Sequence, residues 1–141
     1  MRLKELNYED FPFKTVEKVR YRDTDQQGHV NNAVFGSYFE TGRVAMLYRP
    51  ELGWNPSQSF FVVAKITMEL RGEIRWPNDV LIGVGILRQS STSLLVGSNL
   101  YIKDELVATS ETLVVHMDSL TRKSAYIPKN LIKKLMPYLL K

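Results

Sequence analysis

One long apolar segment constrains the fold of this chain more than any other feature. Residues 31–49 read NNAVFGSYFETGRVAMLYR, and their apolar side chains recur at helical spacing on two adjacent stripes. Between residues 33 and 48, the polar side chains are only Ser37, Glu40, Thr41 and Arg43. A helix with so wide an apolar surface is expected to be mostly buried. Glu40 and Arg43 stand three residues apart, so they are expected to pair with each other or with a neighbouring strand.

Five other segments show the patterns of β-strands. In residues 60–71 the even positions are apolar and the odd positions turn polar from Lys65 onward, which predicts a strand with one buried face. Predicted strands cover residues 15–23, 60–71, 79–87, 93–102 and 105–117, and a short amphipathic helix covers residues 129–136. One helix followed by four consecutive strands at hairpin spacing favours an antiparallel sheet and the α+β class. The second face of this sheet is expected to be covered by oligomerisation.

Length and composition limit the possible classes of protein. The 141 residues suit one domain, taken as residues 1–141. No apolar run approaches the roughly 18–20 residues needed to span a bilayer, and the N-terminus does not resemble a signal peptide. The chain has no cysteine, and its two histidines are far apart, which gives little basis for a metal site. We therefore expect a cytoplasmic protein that uses no metal and no cofactor and does not contact a membrane.

The net charge of +4 is concentrated at the C-terminal end. The basic tail, defined as the residues after position 120, contains no acid and contains Arg122, Lys123, Lys129, Lys133, Lys134 and Lys141. Such a run forms either a solvated helix face or a contact for an acidic partner or for phosphates. The tail lacks interleaved aromatic residues and nucleic-acid-binding motifs, so we expect no nucleic-acid partner.

Two asparagines stand where the long helix begins. Asn31 and Asn32 occupy positions suited to an N-cap. The first N–H groups of a helix have no intrahelical partners, and together with the helix dipole they form an oxyanion-binding site. Asp25 precedes them in a loop that Gly28 allows to fold back. The expected result is a carboxylate facing a set of backbone donors, which is an arrangement that acyl transfer requires.

The leaving group of the reaction further limits the kind of acyl compound that such a site can cleave. A thiol has a pKa of roughly 8–9, so a thiolate leaves without a strong general acid. One carboxylate, the imidazole of His29 and backbone donors therefore suit a thioester better than an amide. The residues alone leave other interpretations open, because Asp25 could cap the turn and His29 could be a structural hydrogen-bonding residue. Asp23 is expected to brace the loop at the end of its strand, and His116 to be a packed or edge histidine.

The stretch VRYRDTDQQGHVNNAVFGSYFETGRVAML resembles hotdog-fold acyl-CoA thioesterases of the 4-hydroxybenzoyl-CoA thioesterase type. The shared pattern is a D-x-D-x-x-G motif and a helix that carries Glu and Arg. The resemblance implies a hotdog fold, an antiparallel sheet of about five strands wrapped around one long buried helix. It implies hydrolysis of an acyl-CoA thioester to the free acid and coenzyme A. Asp25 would be the nucleophile or general base, the Asn32 N–H would bind the oxyanion, and His29 would orient water or substrate, with Gly28 and Asn31 as substrate-binding positions.

Two positions depart from the related enzymes. Gln27 stands where the plant acyl-acyl-carrier-protein thioesterases, which share the HVNN segment, have an asparagine. The turn RQSSTSL contains only Arg88, where the 4-hydroxybenzoyl enzymes have a basic cluster for the coenzyme A phosphates. Ser91, Ser93 or the basic tail are therefore expected to bind the nucleotide.

The resemblance also implies a homodimer or homotetramer with each site at a subunit interface. The strand at 60–71 of the partner would complete the pocket, so Lys65 and Thr67 are candidate lining residues. The sequence also allows two alternative functions. One is a thioesterase for acyl groups on acyl carrier protein, an acidic partner that would dock on the basic tail. The other is a non-catalytic hotdog module that binds acyl groups or partners.

Overall fold

The computed structural model describes residues 2–141 and confirms the α+β class. The strands are β1 (Phe13–Lys18), β2 (Ser59–Leu70), β3 (Asp79–Gln89), β4 (Ser93–Ile102) and β5 (Glu105–Asp118), and the helices are α1 (Asn32–Leu47) and α2 (Lys129–Leu135). The five strands form one antiparallel sheet in the order β1-β3-β4-β5-β2. Within residues 2–141, no helix is long and apolar enough to cross a bilayer.

Helix α1 packs one face on the sheet. Asn31 is its N-cap and accepts a hydrogen bond from the Ala33 N–H at 2.9 Å. The main core holds the buried large residues of this helix, namely Phe35, Tyr38, Phe39, Met46 and Leu47. A Cβ at Gly42 would lie 2.5 Å from Cγ2 of Ile82, so only a glycine permits the observed approach of helix to sheet. The opposite face is exposed, and the helix is half-buried in a single chain rather than mostly buried as expected.

The predicted strand over residues 15–23 is shorter in the structure. Strand β1 ends at Lys18, and residues Tyr21–Asp23 form a 3₁₀ turn. The reason is local, because the Asp23 carboxylate accepts the backbone N–H of Arg20 at 2.9 Å and so stabilises a turn instead of an extended strand.

Strand β2 has neither the predicted continuous alternation nor the predicted burial. A β-bulge between Val63 and Lys65 shifts its register against β5, so Phe61 and Val63 lie on the same sheet face as Ile66 and Met68. It is an edge strand that pairs only with β5 among the described strands. After the bulge its even positions are apolar, yet Ile66 is 53% exposed and Met68 and Leu70 are also exposed. The expected buried face is therefore uncovered in the single chain, because α1 does not extend over this edge.

The sheet face opposite α1 is covered in part by the N-terminal segment of the same chain. Leu3 and Phe11 pack on Tyr101 of β4 as a second, smaller apolar cluster. The buried Asn99 side chain donates to the Leu3 carbonyl at 2.8 Å, and the Tyr101 hydroxyl donates to the Leu6 carbonyl at 2.6 Å. Part of the cover expected from oligomerisation is thus supplied within the chain.

Candidate active site

A tight turn brings the predicted catalytic residues to the start of α1. The Asp25 N–H donates to the His29 carbonyl at 2.8 Å, and the Gly28 N–H donates to the Asp25 carbonyl at 3.1 Å. Gly28 has a φ of 83°, a conformation that L side chains rarely adopt, so this glycine permits the reversal. The Asn31 N–H then donates to the Asp23 carbonyl at 2.9 Å, which fixes the turn against the first residues of the helix.

Asp23 stabilises this turn, as predicted. Its buried carboxylate accepts the Arg20 N–H at 2.9 Å and the Tyr38 hydroxyl at 2.8 Å, and the Arg20 guanidinium lies 3.4 Å away. Burial alone would raise the pKa of Asp23, but these hydrogen bonds and the Arg20 charge together hold the pKa below its usual value. Burial and the neighbouring carboxylate raise the pKa of Tyr38, which therefore remains a hydrogen-bond donor.

The Asp25 pocket is the cavity at the start of α1, with a volume of about 440 Å³. Its lining includes Asp25, Gln27, His29, Asn31, Asn32 and Glu73. The Asp25 carboxylate is exposed, and its Oδ1 accepts the Gln27 N–H at 2.9 Å. The structure thus brings the predicted acid, imidazole and helix start together, and the same carboxylate also stabilises its own turn.

The helix start offers an unpaired donor. The Asn31 side chain accepts the N–H of Ala33, and the Asn31 carbonyl accepts the N–H of Val34 at 2.8 Å. The Asn32 N–H makes no hydrogen bond to any residue in the described part of the chain. An unpaired N–H at the positive end of a 16-residue helix can bind an anionic oxygen.

Sequence reasoning missed the residue that faces His29. The Nε2 atom of His29 lies 3.4 Å from a carboxylate oxygen of Glu73, and the same oxygen lies 3.2 Å from the Arg75 guanidinium. A β-bridge between His29 and Arg75 places this segment beside the turn, and the Val30 N–H donates to the Ile74 carbonyl at 2.8 Å. Glu73 is distant from His29 in sequence and belongs to no local motif. Only the β-bridge between His29 and Arg75 shows that Glu73 lies beside His29.

The other candidate substrate-binding residues lie away from the Asp25 pocket. Lys65 and Thr67 line a separate cleft together with Arg88 and Glu111. Side chains alternate along a strand, and Ile66 of β2 faces α1, so Lys65 and Thr67 project from the opposite sheet face.

The two candidate serines lie at the turn between β3 and β4. The Ser93 hydroxyl is 2.7 Å from that of Ser90, and the Ser91 carbonyl accepts the Ile127 N–H at 2.8 Å. Neither serine belongs to the lining of the Asp25 pocket.

A groove runs along α1 next to the Asp25 pocket. This helix–strand groove lies between one side of α1 and the part of β2 that contains Ile66 and Met68, with a volume of about 270 Å³. Its lining includes Ala33, Glu40, Arg43, Ile66, Met68 and Ser110. The expected Glu40–Arg43 ion pair is absent among the described residues, since Arg43 forms no salt bridge there.

A five-stranded antiparallel sheet packed on one long helix, with a carboxylate at the helix start, defines a hotdog-fold protein, as the family resemblance implied. The family model described as the thioesterase-like superfamily matches residues 19–135. The chain belongs to this superfamily.

Individual relatives agree with this assignment. The chain is 28% identical over 124 residues to the Acyl-CoA thioester hydrolase YbgC of Escherichia coli O6:H1, covering 85% of this chain and 92% of the relative. It is 29% identical to a thioesterase from Thermus thermophilus solved with coenzyme A and Zn, with a TM-score of 0.78 and 90% and 93% of the two chains covered. A predicted thioesterase from Bacillus stearothermophilus is 26% identical, with a TM-score of 0.82 and 90% and 96% covered.

Proposed function

We propose that this protein hydrolyses acyl-CoA thioesters to the free acid and coenzyme A. The observation that carries the proposal is the shared pocket of the Asp25 carboxylate and the unpaired Asn32 N–H. Membership of the thioesterase-like superfamily supports the reaction class. The similarity to a named acyl-CoA thioester hydrolase and to a thioesterase solved with coenzyme A supports the substrate class.

The Asn32 N–H acts on the thioester carbonyl. When a nucleophile adds to the carbonyl carbon, the oxygen becomes an anion, and a donor preplaced at a helix start stabilises that charge. Collapse of the tetrahedral intermediate breaks the carbon–sulfur bond and releases the thiolate of coenzyme A. A thiol pKa of roughly 8–9 allows this departure without a dedicated acid.

Asp25 promotes attack on the thioester carbonyl carbon by one of two routes. As a general base it takes a proton from water while the water oxygen attacks the carbonyl carbon. As a nucleophile it attacks the carbon itself, releases the thiolate and forms a mixed anhydride that water then hydrolyses to the acid and free Asp25. In both routes His29, held 3.4 Å from Glu73, orients water or substrate in the same pocket.

Asp25→Asn tests the proposal directly. Asparagine keeps an Oδ1 acceptor for the Gln27 N–H, so the turn is retained while the charge and basicity are lost. We expect kcat/KM for the best acyl-CoA to fall by about 10²–10⁴-fold with little change in Tm. The measurement is thiol release over a series of acyl-CoAs.

The matched control is Asp104→Asn, which changes an exposed aspartate in the turn between β4 and β5. This variant should keep wild-type turnover. Near-normal hydrolysis by Asp25→Asn would show that Asp25 only caps its turn and that the proposed chemistry is wrong.

Acyl carrier protein is a second candidate substrate carrier. Lys129, Lys133 and Lys134 are exposed on α2 and form no salt bridge within residues 2–141. Such a cationic face suits an acidic carrier. Neutralising the three lysines would then raise KM for carrier-bound substrate and leave KM for acyl-CoA unchanged, whereas equal effects on both substrates contradict carrier docking.

A further inference from the structure

The helix–strand groove and the Asp25 pocket are lined by adjacent residues of α1. Ala33 lines the groove, and the preceding residue, Asn32, lines the Asp25 pocket. Arg43 lies eleven residues beyond Asn32, which corresponds to about 16 Å along a helix axis. The Arg43 side chain lines the same groove as Ala33. A chain extending from a thioester carbonyl at Asn32 along the groove would therefore pass this guanidinium.

Arg43 is a buried cation without a partner. It is only 8% exposed, yet it makes no salt bridge and no side-chain hydrogen bond within residues 2–141. Burial lowers the pKa of Arg43, and the negative charge of Glu40 offsets only part of that effect. Glu40 itself is exposed. The guanidinium nitrogens are not among the fully buried unpartnered atoms, so they reach the groove and can donate hydrogen bonds to a ligand group there.

A second unpaired group lies in the same groove. The hydroxyl of Ser110 on β5 is buried and has no hydrogen-bond partner among the described residues. Buried hydroxyl groups in folded proteins almost always have a partner. Arg43 and Ser110 thus offer two sets of donors to one cavity.

The groove also has apolar walls, beside the polar side chains of Ser37, Glu40 and Thr112. Phe39 of α1 and the side chains of Ile66 and Met68 of β2 line it. An aliphatic chain would pack on these residues, while an oxygen atom further along that chain would meet Arg43 and Ser110. The groove therefore has the chemistry of a site for an acyl chain that is mainly apolar and carries an acceptor oxygen within reach of Arg43 and Ser110.

We infer that the helix–strand groove binds the acyl group of the substrate, and that Arg43 and Ser110 select acyl chains carrying an oxygen acceptor on their distal part. The inference rests on the proposed thioesterase function and adds a substrate class to it. The shared chemistry is an acceptor oxygen, which a carboxylate, a ketone or a hydroxyl group can supply.

The test compares acyl-CoAs of equal chain length. Decanoyl-CoA is assayed beside counterparts that end in a carboxylate, a ketone or a hydroxyl group. Comparison of the four substrates shows which acceptor group the enzyme prefers. Wild-type enzyme should prefer at least one oxygenated substrate by about tenfold or more in kcat/KM, as expected for a hydrogen bond to a charged group. Arg43→Met, which keeps an apolar stem, should abolish that preference by lowering kcat/KM for the oxygenated substrate at least tenfold more than kcat/KM for decanoyl-CoA. Ser110→Ala should reduce the preference without abolishing it, and it provides an independent measurement if Arg43→Met does not fold.

The matched control is Arg49→Met, since Arg49 lies after the end of α1 and outside the groove lining. This variant should retain the wild-type preference.

Equal activity of wild-type enzyme on all four substrates would overturn the inference. So would an equal loss on all of them in Arg43→Met, or a change in oligomeric state without a change in preference, because Arg43 would then be structural or an interface residue. If decanoyl-CoA is hydrolysed in an Asp25-dependent way but no preference exists, only the inference fails. If no substrate is hydrolysed, the proposed function itself fails.

Discussion

Two aspartates separated by one residue have opposite environments in this protein. Asp23 is 3% exposed and hydrogen-bonded to the Arg20 N–H and the Tyr38 hydroxyl. Asp25 is exposed and has one backbone hydrogen bond, so it remains accessible to a substrate. The buried carboxylate holds the turn, and the exposed carboxylate is the one available for chemistry.

The pH dependence of stability follows from Asp23. Its pKa is lower in the folded protein than in an unfolded chain, so its stabilising effect is present at neutral pH. That effect is lost as the pH falls through about 4 towards the folded-state pKa. Asp23→Asn should therefore be less stable than wild type at pH 7, and the difference in Tm between the two should shrink at low pH. Thermal unfolding followed by circular dichroism between pH 7 and pH 3 measures this difference.

The exposed Asp104 provides the control for the pH experiment. The Asp104→Asn variant should stay parallel to wild type over the whole range. A Tm difference between Asp23→Asn and wild type that is constant with pH would show that the Asp23 charge does not stabilise the turn.

Among the secondary-structure elements, the periodic spacing of apolar residues predicted the strands and the helix whose form depends on local sequence. The strands over 93–102 and 105–117 agree with β4 and β5, and the helix expected over 31–49 is α1. The predicted strand over 15–23 was too long because the Asp23 side chain captures a backbone N–H, which an alternation pattern does not report.

The contacts that the sequence did not reveal all cross between distant segments. Glu73 faces His29 through a long-range bridge, and Ser110 joins the groove through the pairing of β5 with β2. The alternation predicted for β2 is interrupted by the bulge between Val63 and Lys65, and the cover of its apolar residues depends on tertiary packing rather than on local pattern. The carboxylate, imidazole and helix start could be predicted together because they lie in one short stretch.

The close contact of α1 with the sheet predicts opposite effects for two glycines of the same helix. A Cβ at Gly42 would lie 2.5 Å from Cγ2 of Ile82 and 3.0 Å from Cγ2 of Val84, so Gly42→Ala should destabilise the fold by about 1–3 kcal/mol. A Cβ at Gly36 would meet no atom within 4 Å, and alanine is the better helix former there. Gly36→Ala should therefore be neutral or stabilising by up to about 1 kcal/mol. Urea unfolding of both variants measures the difference, and similar free energies of unfolding would contradict the close approach.

For the whole molecule, the uncovered apolar surface lies at one edge of the sheet. The N-terminal segment covers part of the face opposite α1, and α1 covers the core of the other face. Neither covers the part of β2 after the bulge, where Ile66, Met68 and Leu70 remain exposed. An unpaired edge strand with exposed apolar side chains is a favourable surface for pairing with a second chain. The groove beside α1 ends at this same strand, so a second copy would also close the proposed acyl site.

We therefore predict a homodimer, or a homotetramer built from such dimers, whose activity depends on the β2 edge. Ile66→Glu places a charge on the exposed face and should yield monomers with reduced kcat/KM for acyl-CoA. The matched control is Val16→Glu on the opposite edge strand, β1, because Val16 and Ile66 are both 53% exposed. Val16→Glu should keep the wild-type mass and activity. Light scattering after gel filtration gives the mass, and thiol release at matched protein concentrations gives the activity. A monomeric wild-type protein would contradict the predicted assembly, whereas a monomeric Ile66→Glu variant with full activity would show that each chain forms a complete site alone.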